Sequence, residues 1–248
     1  MVLLRGEHVK TLPSESPLQR KFHQAEVSHV GTGVRSILSL PWLYMLHQKV
    51  WGGDILLRLY VRGFLHPIKN WTRILEIGCG PARILQHLPA KIEYVGYDMN
   101  PRYIEYARER HTGRKTFYCQ HIGEDTLRPP SNYFDVVLAT GVLHHLTDQD
   151  SKSLIDSAYD CLRPGGFLLT LDPVICKKRS LFERIVMPMD RGQAILSFDH
   201  YVSLAKTRFE TVHGYVRDDL VRVPFGLIQT RYNHLIMNCS RVPGCEKR

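Results

Sequence analysis

One segment, Arg73–Leu85, constrains the fold of this chain more than any other. It reads RILEIGCGPARIL, in which an apolar run ends at Ile77, glycines follow at Gly78 and Gly80, and a helical pattern begins. Glycines at a strand-to-helix turn let the backbone reverse sharply and let a ligand approach it closely. The first N–H groups of a helix also favour an anionic group. The segment therefore predicts either a nucleotide-like ligand at this turn or a tight turn without a ligand.

Short β-rich runs alternate with helical stretches from residue 73 onward. Strands are predicted at Arg73–Ile77, Tyr94–Tyr97, Thr116–His121, Phe134–Ala139 and Phe167–Leu171, and helices at Ala82–His87, Pro101–His111 and Ser151–Cys161. Strands separated by helices form βαβ units and a parallel sheet that is covered on both faces. The sequence thus predicts a doubly wound α/β fold.

The end of the chain has a different pattern. We expect a helix at Asp199–Phe209 that is capped by Asp199, followed by two last strands at Thr211–Val216 and Leu227–Cys239. A turn around Pro224 joins these strands, so they are predicted to be antiparallel.

The chain is predicted to have three parts. Residues 1–34 form a polar arm, residues 35–70 form a helical cap, and residues 71–248 form the α/β domain. Within the cap, Asp54 is expected to be the N-cap of a helix that runs to about Leu65. Residues 175–198 interrupt the rhythm of strands and helices, and we expect them to form a lid.

Several details decide between a nicotinamide dinucleotide and S-adenosylmethionine. The dinucleotide fingerprint GxGxxG needs a third glycine where this chain has Arg83, and Pro81 fits a pyrophosphate cradle poorly. Glu76 would repel a pyrophosphate but suits a ligand that carries an ammonium group. Asp98, at the tip of the second strand, can accept hydrogen bonds from both hydroxyls of a ribose. The pattern favours S-adenosylmethionine, with S-adenosylhomocysteine as its product.

The chain is basic, with a formal net charge of +9, and 44% of its residues are hydrophobic. The charge leaves an anionic small molecule, RNA or an acidic membrane surface open as a partner, but the basic residues are spread along the chain, which weakens the case for nucleic acid. The apolar run Val34–Leu46 is too short to span a bilayer, although it could contact a membrane surface. Six cysteines without metal-ligand spacing predict reduced thiols, a cytoplasmic protein and no metal site.

Four segments in order resemble the class I S-adenosylmethionine-dependent methyltransferases. They are EIGCGPA, YVGYDMN, FDVVLATGVLHHL and CLRPGGFLLTLDP, and they lie within residues 73–173. The resemblance is to the small-molecule branch of bacterial type. It implies a Rossmann-like sheet of seven strands in the order 3-2-1-4-5-7-6, with strand 7 antiparallel, an N-terminal helical cover and a lid insertion after strand 5.

The resemblance also implies which residues contact the cofactor. Those around its methionine part would be Glu76, Gly78, Cys79 and Gly80, those around the nucleoside Asp98 and Met99, and those near the sulfonium Thr140 and Gly141. Where relatives carry an acid for the adenine amino group, this chain has Ile122. His121, Glu124 or the backbone of Ile122-Gly123 could take that role.

A histidine pair follows the fourth strand, at the edge of the sheet where ligands bind. His144 is the candidate catalytic base because imidazole titrates near neutral pH. His145 is expected to pack structurally or to bond the glycine loop. The substrate contacts that we expect are Tyr44, His47 and Gln48 in the cap, and Arg191 in the lid, which could hold an anionic acceptor.

The function predicted from the sequence is direct in-line methylation of an oxygen or nitrogen of a small molecule. A nucleic-acid methyltransferase is a weaker alternative, because the segment ATGVLHH lacks the Asn/Asp-Pro-Pro-aromatic motif of enzymes that methylate base amines. A non-catalytic subunit that binds S-adenosylmethionine stays open as a third possibility.

Overall fold

The computed structural model describes residues 40–65, 68–120, 129–177, 179–187, 195–225 and 227–242. The predicted arm at residues 1–34 lies outside these ranges. The helices are α1 (Pro41–Val50), α2 (Gly53–Phe64), α3 (Pro101–Arg110), α4 (Asp148–Cys161), α5 (Leu181–Val186) and α6 (Phe198–Lys206). The strands are β1 (Arg73–Ile77), β2 (Glu93–Asp98), β3 (Lys115–Cys119), β4 (Phe134–Thr140), β5 (Leu162–Pro173), β6 (Thr211–Arg217), β7 (Val221–Val223), β8 (Ile228–Thr230) and β9 (His234–Ser240).

Seven of these strands form one sheet in the order β3-β2-β1-β4-β5-β9-β6. The pairs from β3 to β5 are parallel, whereas β9 is antiparallel to both β5 and β6. This arrangement confirms the predicted doubly wound fold and its antiparallel strand. The carboxyl ends of β1, β2, β4 and β5 meet at one edge of the sheet, which we call the carboxyl edge.

Both faces of the sheet are buried. On one face, α4 and α6 pack their apolar stripes against Val137, Ala139 and Leu168. On the other face, α2 and α3 pack against Ile74, Val136 and Leu138 through residues that include Tyr60, Val61, Ile104 and Ala107. Because a central parallel strand is covered on both sides, β4 reads as the continuous apolar run that was predicted for it.

The end of the chain differs from the prediction for Leu227–Cys239, which is not one strand. The turn at Pro224 joins β7 to β8 in a separate two-stranded hairpin, and β9 begins only at His234. The two antiparallel strands β6 and β9 are therefore linked through this hairpin rather than directly. The hairpin's antiparallel pairing joins Val221 to Thr230 and Val223 to Ile228.

Three helix starts also differ from the prediction. The N-cap of α2 is Gly52, in the left-handed region, and not Asp54, which lies in the first turn with its side chain turned toward Arg83. The N-cap of α6 is Ser197, whose side chain accepts a hydrogen bond from the backbone of His200. After the glycine loop, the predicted helix Ala82–His87 is a 3₁₀ helix that begins at Arg83 and has Ala82 as its N-cap.

The insertion after β5 is tied down at both ends. A parallel bridge joins Ile175 to Ser197, and the Ile175 backbone N–H donates to the carbonyl of Leu196 at 3.0 Å. Within the insertion, α5 has a capping box in which Ser180 and Glu183 each bond the other's backbone. The bridge holds the two ends of the insertion side by side, and the capping box fixes the start of α5.

Candidate active site

The glycine loop connects β1 to the 3₁₀ helix at the carboxyl edge. The N–H groups of Gly78 and Cys79 both donate to the carbonyl of Tyr97 on β2, at 2.8 and 2.9 Å. Gly78 has a φ of 70°, and a Cβ atom there would lie only 2.5 Å from the Val142 side chain. The turn therefore requires glycine at this position, because another residue would be both strained and in collision.

The second glycine of the loop borders open space. Gly80 has a φ of 52°, and a Cβ atom placed on it would meet no protein atom within 4 Å. Its N–H donates to Oδ2 of Asp98 at 2.8 Å, while the N–H of Asn100 donates to Oδ1 at 2.8 Å. Each carboxylate oxygen keeps a second lone pair, so Asp98 holds the loop and can still accept two hydroxyl hydrogen bonds.

Glu76 is an acid buried at the end of β1, and it is 4% exposed. The Tyr94 hydroxyl on β2 donates to its Oε2 atom. Burial raises the pKa of the Glu76 carboxyl to about 8, the tyrosine hydrogen bond opposes this shift, and the charge of Asp98 adds to it. Burial also raises the pKa of Asp98, against the two backbone hydrogen bonds that it accepts. A cation that binds beside these two acids would stabilise their charged forms and lower both pKa values.

The helical cap closes over this region through Arg83. The guanidinium of Arg83 donates to Oε1 of Gln48 at 2.9 Å and also forms an ion pair with Asp54. Tyr44, one turn before Gln48 on α1, is close enough to feel the charges of Arg83, Asp98 and Glu76. Burial is the main cause that raises the pKa of its hydroxyl. The predicted substrate residues Tyr44 and Gln48 thus lie beside the glycine loop.

The other half of the carboxyl edge is formed by β4 and β5. Gly141 follows β4 with a φ of 70°, and a Cβ atom on it would lie 3.8 Å from Cε1 of His144. The Nδ1 atom of His144 is 2.9 Å from Oδ1 of Asp172, and the backbone N–H of His144 donates to the same oxygen at 3.2 Å. Both side chains are buried, which makes this pair a preformed acid–imidazole unit.

Asp172 also has a carboxylate oxygen that faces no protein donor. Within the described part of the chain, its buried Oδ2 atom has no hydrogen-bond partner. A buried carboxylate oxygen without a donor costs free energy, roughly 1–3 kcal/mol or more for a charged group. This oxygen lies beside the loop that follows β4, and a hydrogen-bond donor on a bound ligand would supply its missing partner.

The structure brings together most of the residues predicted for the site. Residues at the carboxyl edge or on the cap beside it are Glu76, Gly78, Cys79, Gly80, Asp98, Thr140, Gly141, His144, Tyr44 and Gln48. Met99 follows Asp98 with an exposed side chain, and His47 is exposed on α1. His145 is exposed, and its ring lies 3.9 Å from that of His144, so His144 is the buried member of the pair. Ile122, Gly123 and Arg191 lie outside the described residues, as do His121 and Glu124.

Sequence reasoning did not identify three residues of this region: Asp172, Tyr60 and the anchoring role of Arg83. The signal for Asp172 was its place at the end of the fifth strand, in LTLDP, where an acid reaches the same edge as Asp98. The Tyr60 hydroxyl on α2 donates to the carbonyl of Leu169 at 3.3 Å and lies close enough to Glu76 and Asp172 to feel their charges. No spacing rule connects α2 to β5, since 109 residues separate the two partners.

Comparison with known proteins agrees with this geometry. A family model described as a methyltransferase domain matches residues 75–168, which include the glycine loop, Asp98 and both histidines. Residues 75–168 therefore form a methyltransferase domain of the class I S-adenosylmethionine-dependent superfamily. S-adenosylmethionine is the methyl donor of this superfamily, and the open space at Gly80 fits its methionine part while the spare lone pairs of Asp98 fit its ribose.

The individual relatives of this methyltransferase domain differ in their named acceptors. It is 30% identical over 174 residues to a human protein named "Probable tRNA methyltransferase 9B", a match that covers 68% of this chain and 35% of the relative. It is 32% identical over 100 residues to the "Ubiquinone biosynthesis O-methyltransferase" of Shewanella sp. (strain ANA-3), covering 39% and 41% of the two chains. The chain therefore spans about a third of the human relative's length and about two fifths of the bacterial one's.

A solved structure shows the same fold. An S-adenosylmethionine-dependent methyltransferase from Archaeoglobus fulgidus superposes with a TM-score of 0.63 at 16% identity, over 80% of this chain and 99% of that one. At this identity the likeness concerns the fold alone. Among the described helices, none is both long enough and apolar enough to cross a bilayer.

Proposed function

We propose that this methyltransferase moves a methyl group from S-adenosylmethionine to an oxygen or nitrogen atom of a small molecule by direct in-line transfer. The observation that carries this proposal is the buried His144–Asp172 pair, which adjoins Gly141 at the carboxyl edge. A base held beside the donor is what a hydroxyl or ammonium acceptor needs, because a hydroxyl loses its proton as the new bond forms and an ammonium must lose one before its nitrogen can attack.

The donor half of the site has a role for each residue. We assign the methionine part to Glu76, Gly78, Cys79 and Gly80, the ribose to Asp98, and the adenine to Met99 with the backbone of Ile122 and Gly123. Thr140, Gly141 and His145 are assigned to contacts near the sulfonium. The ammonium group supplies the cation that the raised pKa values of Glu76 and Asp98 call for. When bound, the donor supplies an electrophilic methyl group, and the chain's part is to hold it in line.

His144 acts as the base in this proposal. Its Nδ1 faces Asp172 Oδ1, so a proton on Nδ1 donates to the carboxylate and leaves the lone pair on Nε2. As the acceptor's oxygen or nitrogen bonds the methyl carbon, the carbon–sulfur bond breaks and the acceptor's proton moves to Nε2. Asp172 positions the ring and stabilises the imidazolium that forms, which is the role of a carboxylate behind a catalytic histidine.

The cover over the site supports a small acceptor. Helices α1 and α2 place Tyr44 and Tyr60 over the same edge that holds Glu76 and Asp172, and Arg83 ties this cover to the glycine loop. Tyr44, Gln48 and His47 are assigned to the acceptor's walls. Arg191 is assigned to an anionic group on the acceptor. A cytoplasmic location is also part of this proposal, and the unpaired spacing of the six cysteines in the sequence supports it.

The test is a transfer assay with donor labelled in its methyl group. The purified chain is offered separately phenols and catechols, primary and secondary amines, phosphorylated amino alcohols, and total tRNA. We expect label in a small molecule, with turnover lowered at least about 100-fold by His144→Ala while S-adenosylhomocysteine still binds. Loss of labelling without loss of donor binding identifies a base; unchanged turnover at saturating acceptor would remove His144 from the reaction.

A tRNA acceptor is the second candidate. The human relative's name and the net charge of +9 favour it. Labelled tRNA with unlabelled small molecules in the same assay would replace the first proposal by this one. If the chain binds S-adenosylhomocysteine but labels nothing in either class, the non-catalytic binding role is the better assignment.

A further inference from the structure

Three elements outside the catalytic edge pack on one another and carry exposed apolar side chains. Val221 and Val223 of the hairpin, Leu56 of α2 and Phe182 and Val186 of α5 form one apolar cluster with Met187 and Tyr232. The end of α1 joins this group, because the ring of Trp51 lies 6.1 Å from that of Phe182. The backbone N–H of Phe225, in the hairpin turn, donates to the carbonyl of Val50 at 2.8 Å. Helix α1, helix α5 and the β7–β8 hairpin are thus parts of one surface region.

Helix α1 has two opposite faces. Tyr44 and Gln48, four residues apart, face Arg83 and the donor site. Trp42, Leu46 and Lys49 follow one another at spacings of four and three, so they share the opposite stripe of the helix, and all three are exposed. Trp42 is 61% exposed although it is among the largest apolar side chains. A tryptophan, a leucine and a lysine on one outward stripe are typical of helices that lie in a membrane interface.

Helix α5 repeats this pattern. Glu183 is completely buried and accepts hydrogen bonds from Asn233, so the helix has a fixed rotation. With that face held, Leu181 and Ile185 lie one turn apart and both point to solvent, Leu181 at 75% exposure. Arg184 is exposed between them. The helix is therefore anchored, yet it leaves an apolar pair uncovered.

The hairpin turn adds the remaining apolar side chains. Phe225, Leu227 and Ile228 are all exposed, Leu227 at 77%. We call the seven exposed side chains of these three elements the apolar rim: Trp42, Leu46, Leu181, Ile185, Phe225, Leu227 and Ile228. Large exposed apolar groups that recur on adjoining elements mark an interaction surface.

The charges around the apolar rim indicate what it binds. Exposed basic residues are Lys49 on α1, Arg184 on α5, and Lys177 and Arg179 in the segment just before α5. The acids Glu183 and Asp54 are engaged in the bonds described above, and Asp218 and Asp219, just before the hairpin, form ion pairs with Arg231 and Arg217. Basic side chains beside apolar ones complement a bilayer that carries anionic headgroups. An RNA surface is the poorer match, because leucine and isoleucine neither stack on bases nor pair with phosphates.

We propose that the apolar rim and its basic neighbours dock this methyltransferase on a membrane surface that contains anionic lipids. The rim's aromatic and aliphatic side chains enter the headgroup region, and the lysine and arginine side chains contact lipid phosphates. Helix α1 carries the rim on one face, and on the other face it carries Tyr44 and Gln48, which are the proposed acceptor contacts. Docking therefore brings these acceptor contacts close to the bilayer. An acceptor dissolved in the lipid then reaches the site without crossing water.

The experiment is flotation of the full chain with phosphatidylcholine vesicles that do or do not contain phosphatidylglycerol. Neither donor nor acceptor is added, so the result does not depend on the proposed methyl transfer. We expect co-flotation only with the anionic vesicles, and weaker binding as salt is raised. The double variant Leu181→Glu with Leu227→Glu should lower the partition coefficient at least about tenfold. Its fold should persist, because a glutamate suits the first turn of α5.

The matched control places the same two charges at the opposite edge of the sheet. Trp71 and Val242 are exposed there, just before β1 and just after β9. Trp71→Glu with Val242→Glu should change the partition coefficient by less than about twofold, since these residues are far from the rim. If this control loses binding as much as the rim variant does, net charge alone explains the effect and the rim proposal is wrong.

The basic residues give a second arm. Replacing Arg179 and Arg184 by glutamine should weaken binding to anionic vesicles about fivefold for each charge removed. Replacing them by lysine should leave most of the binding intact, because attraction to anionic headgroups depends on the charge and not on the shape of the guanidinium. Equal binding to both vesicle types, or no flotation at all, overturns the proposal. A competition with RNA gives one more contradicting outcome. If RNA displaces the chain from vesicles, and if the leucine variant also loses RNA binding, the surface binds nucleic acid and the membrane proposal is wrong.

Discussion

The two halves of the carboxyl edge differ in the hydrogen-bond donors that face their buried acids. On the donor half, Glu76 receives a hydrogen bond from the Tyr94 hydroxyl and Asp98 receives two from backbone N–H groups. On the acceptor half, Asp172 faces the imidazole of His144. Hydroxyl and amide donors stay neutral at ordinary pH, whereas imidazole can take up a proton and become positively charged.

This difference separates two functions within one edge. Neutral donors leave the buried acids of the donor half short of positive charge, so burial keeps the pKa of Glu76 at about 8 until a cation arrives. The acceptor half contains its own proton carrier and needs no outside cation. Under the proposed function, the donor half binds the positive charge of the donor and the acceptor half moves a proton.

The largest expected effect is on the donor half, where Glu76→Gln removes the buried carboxyl. The folded pKa of Glu76 is about 8, above the ordinary value of 4.5, so folded protein keeps a proton that the unfolded chain loses between these pH values. The free energy of unfolding therefore falls as pH rises through this window. Glu76→Gln should raise it by about 4 kcal/mol at pH 8 and by less than about 1 kcal/mol at pH 5.

Urea unfolding of both proteins at the two pH values measures this effect. The same variant should bind S-adenosylhomocysteine more weakly, because the amide cannot pair with an ammonium group. A variant that is equally stabilised at pH 5 and pH 8 would show that the gain comes from packing and not from the titration of Glu76.

On the acceptor half, Asp172→Asn should separate catalysis from binding. The amide can still accept the His144 hydrogen bond, but it cannot stabilise an imidazolium, so kcat should fall about 100-fold. The affinity for S-adenosylhomocysteine, measured by calorimetry, should stay within about twofold. Adding Asp172→Asn to His144→Ala should cost nothing further, since groups that act as a unit are not additive. A large additional loss would give Asp172 a role that does not pass through His144.

Asp98→Ala is expected to weaken binding of S-adenosylhomocysteine at least about tenfold. The variant loses two hydroxyl contacts to a charged acceptor, and also the bonds that hold Gly80 and Asn100 in place. Asp98→Asn is the control that keeps an acceptor oxygen at the same place, and it should lose less. Calorimetry with unchanged affinity for the alanine variant would remove Asp98 from the donor half.

The smallest effect is expected at the loop itself. Ala82 adopts a left-handed φ of 54°, which costs an alanine roughly 1–2 kcal/mol, but its methyl group is fully buried. In Ala82→Gly, the strain that is released and the packing that is lost nearly cancel, because one buried methyl contributes about 0.8 kcal/mol. The free energy of unfolding should change by less than about 1 kcal/mol in a urea titration. A loss above 2 kcal/mol would mean that the methyl group packs more tightly than its burial indicates.

The donor half was predictable from the sequence because its chemistry is local. Gly78, Gly80 and Glu76 lie in one short segment, and Asp98 ends the next strand, so strand periodicity alone brings them to one edge. The alternation of strands and helices predicted a parallel sheet, the resemblance implied the strand order, and the strand pairing confirms both.

The acceptor half and the cover were harder to predict because their contacts are made in space. Asp172 and His144 are 28 positions apart, and Arg83 reaches Gln48 and Asp54 across the loop. These are consequences of tertiary packing, which no periodicity in the chain records.

The bridge between Ile175 and Ser197 brings the two ends of the insertion side by side. A segment whose entry and exit are neighbours can be lengthened, shortened or exchanged while the strands that carry the chemistry keep their register. Under the proposed assignment of Arg191 to the acceptor, exchanging this segment as one cassette should change the acceptor and leave the residues proposed for the donor in place. A chimera that receives another methyltransferase's cassette at these two residues would have a new acceptor range on the old scaffold.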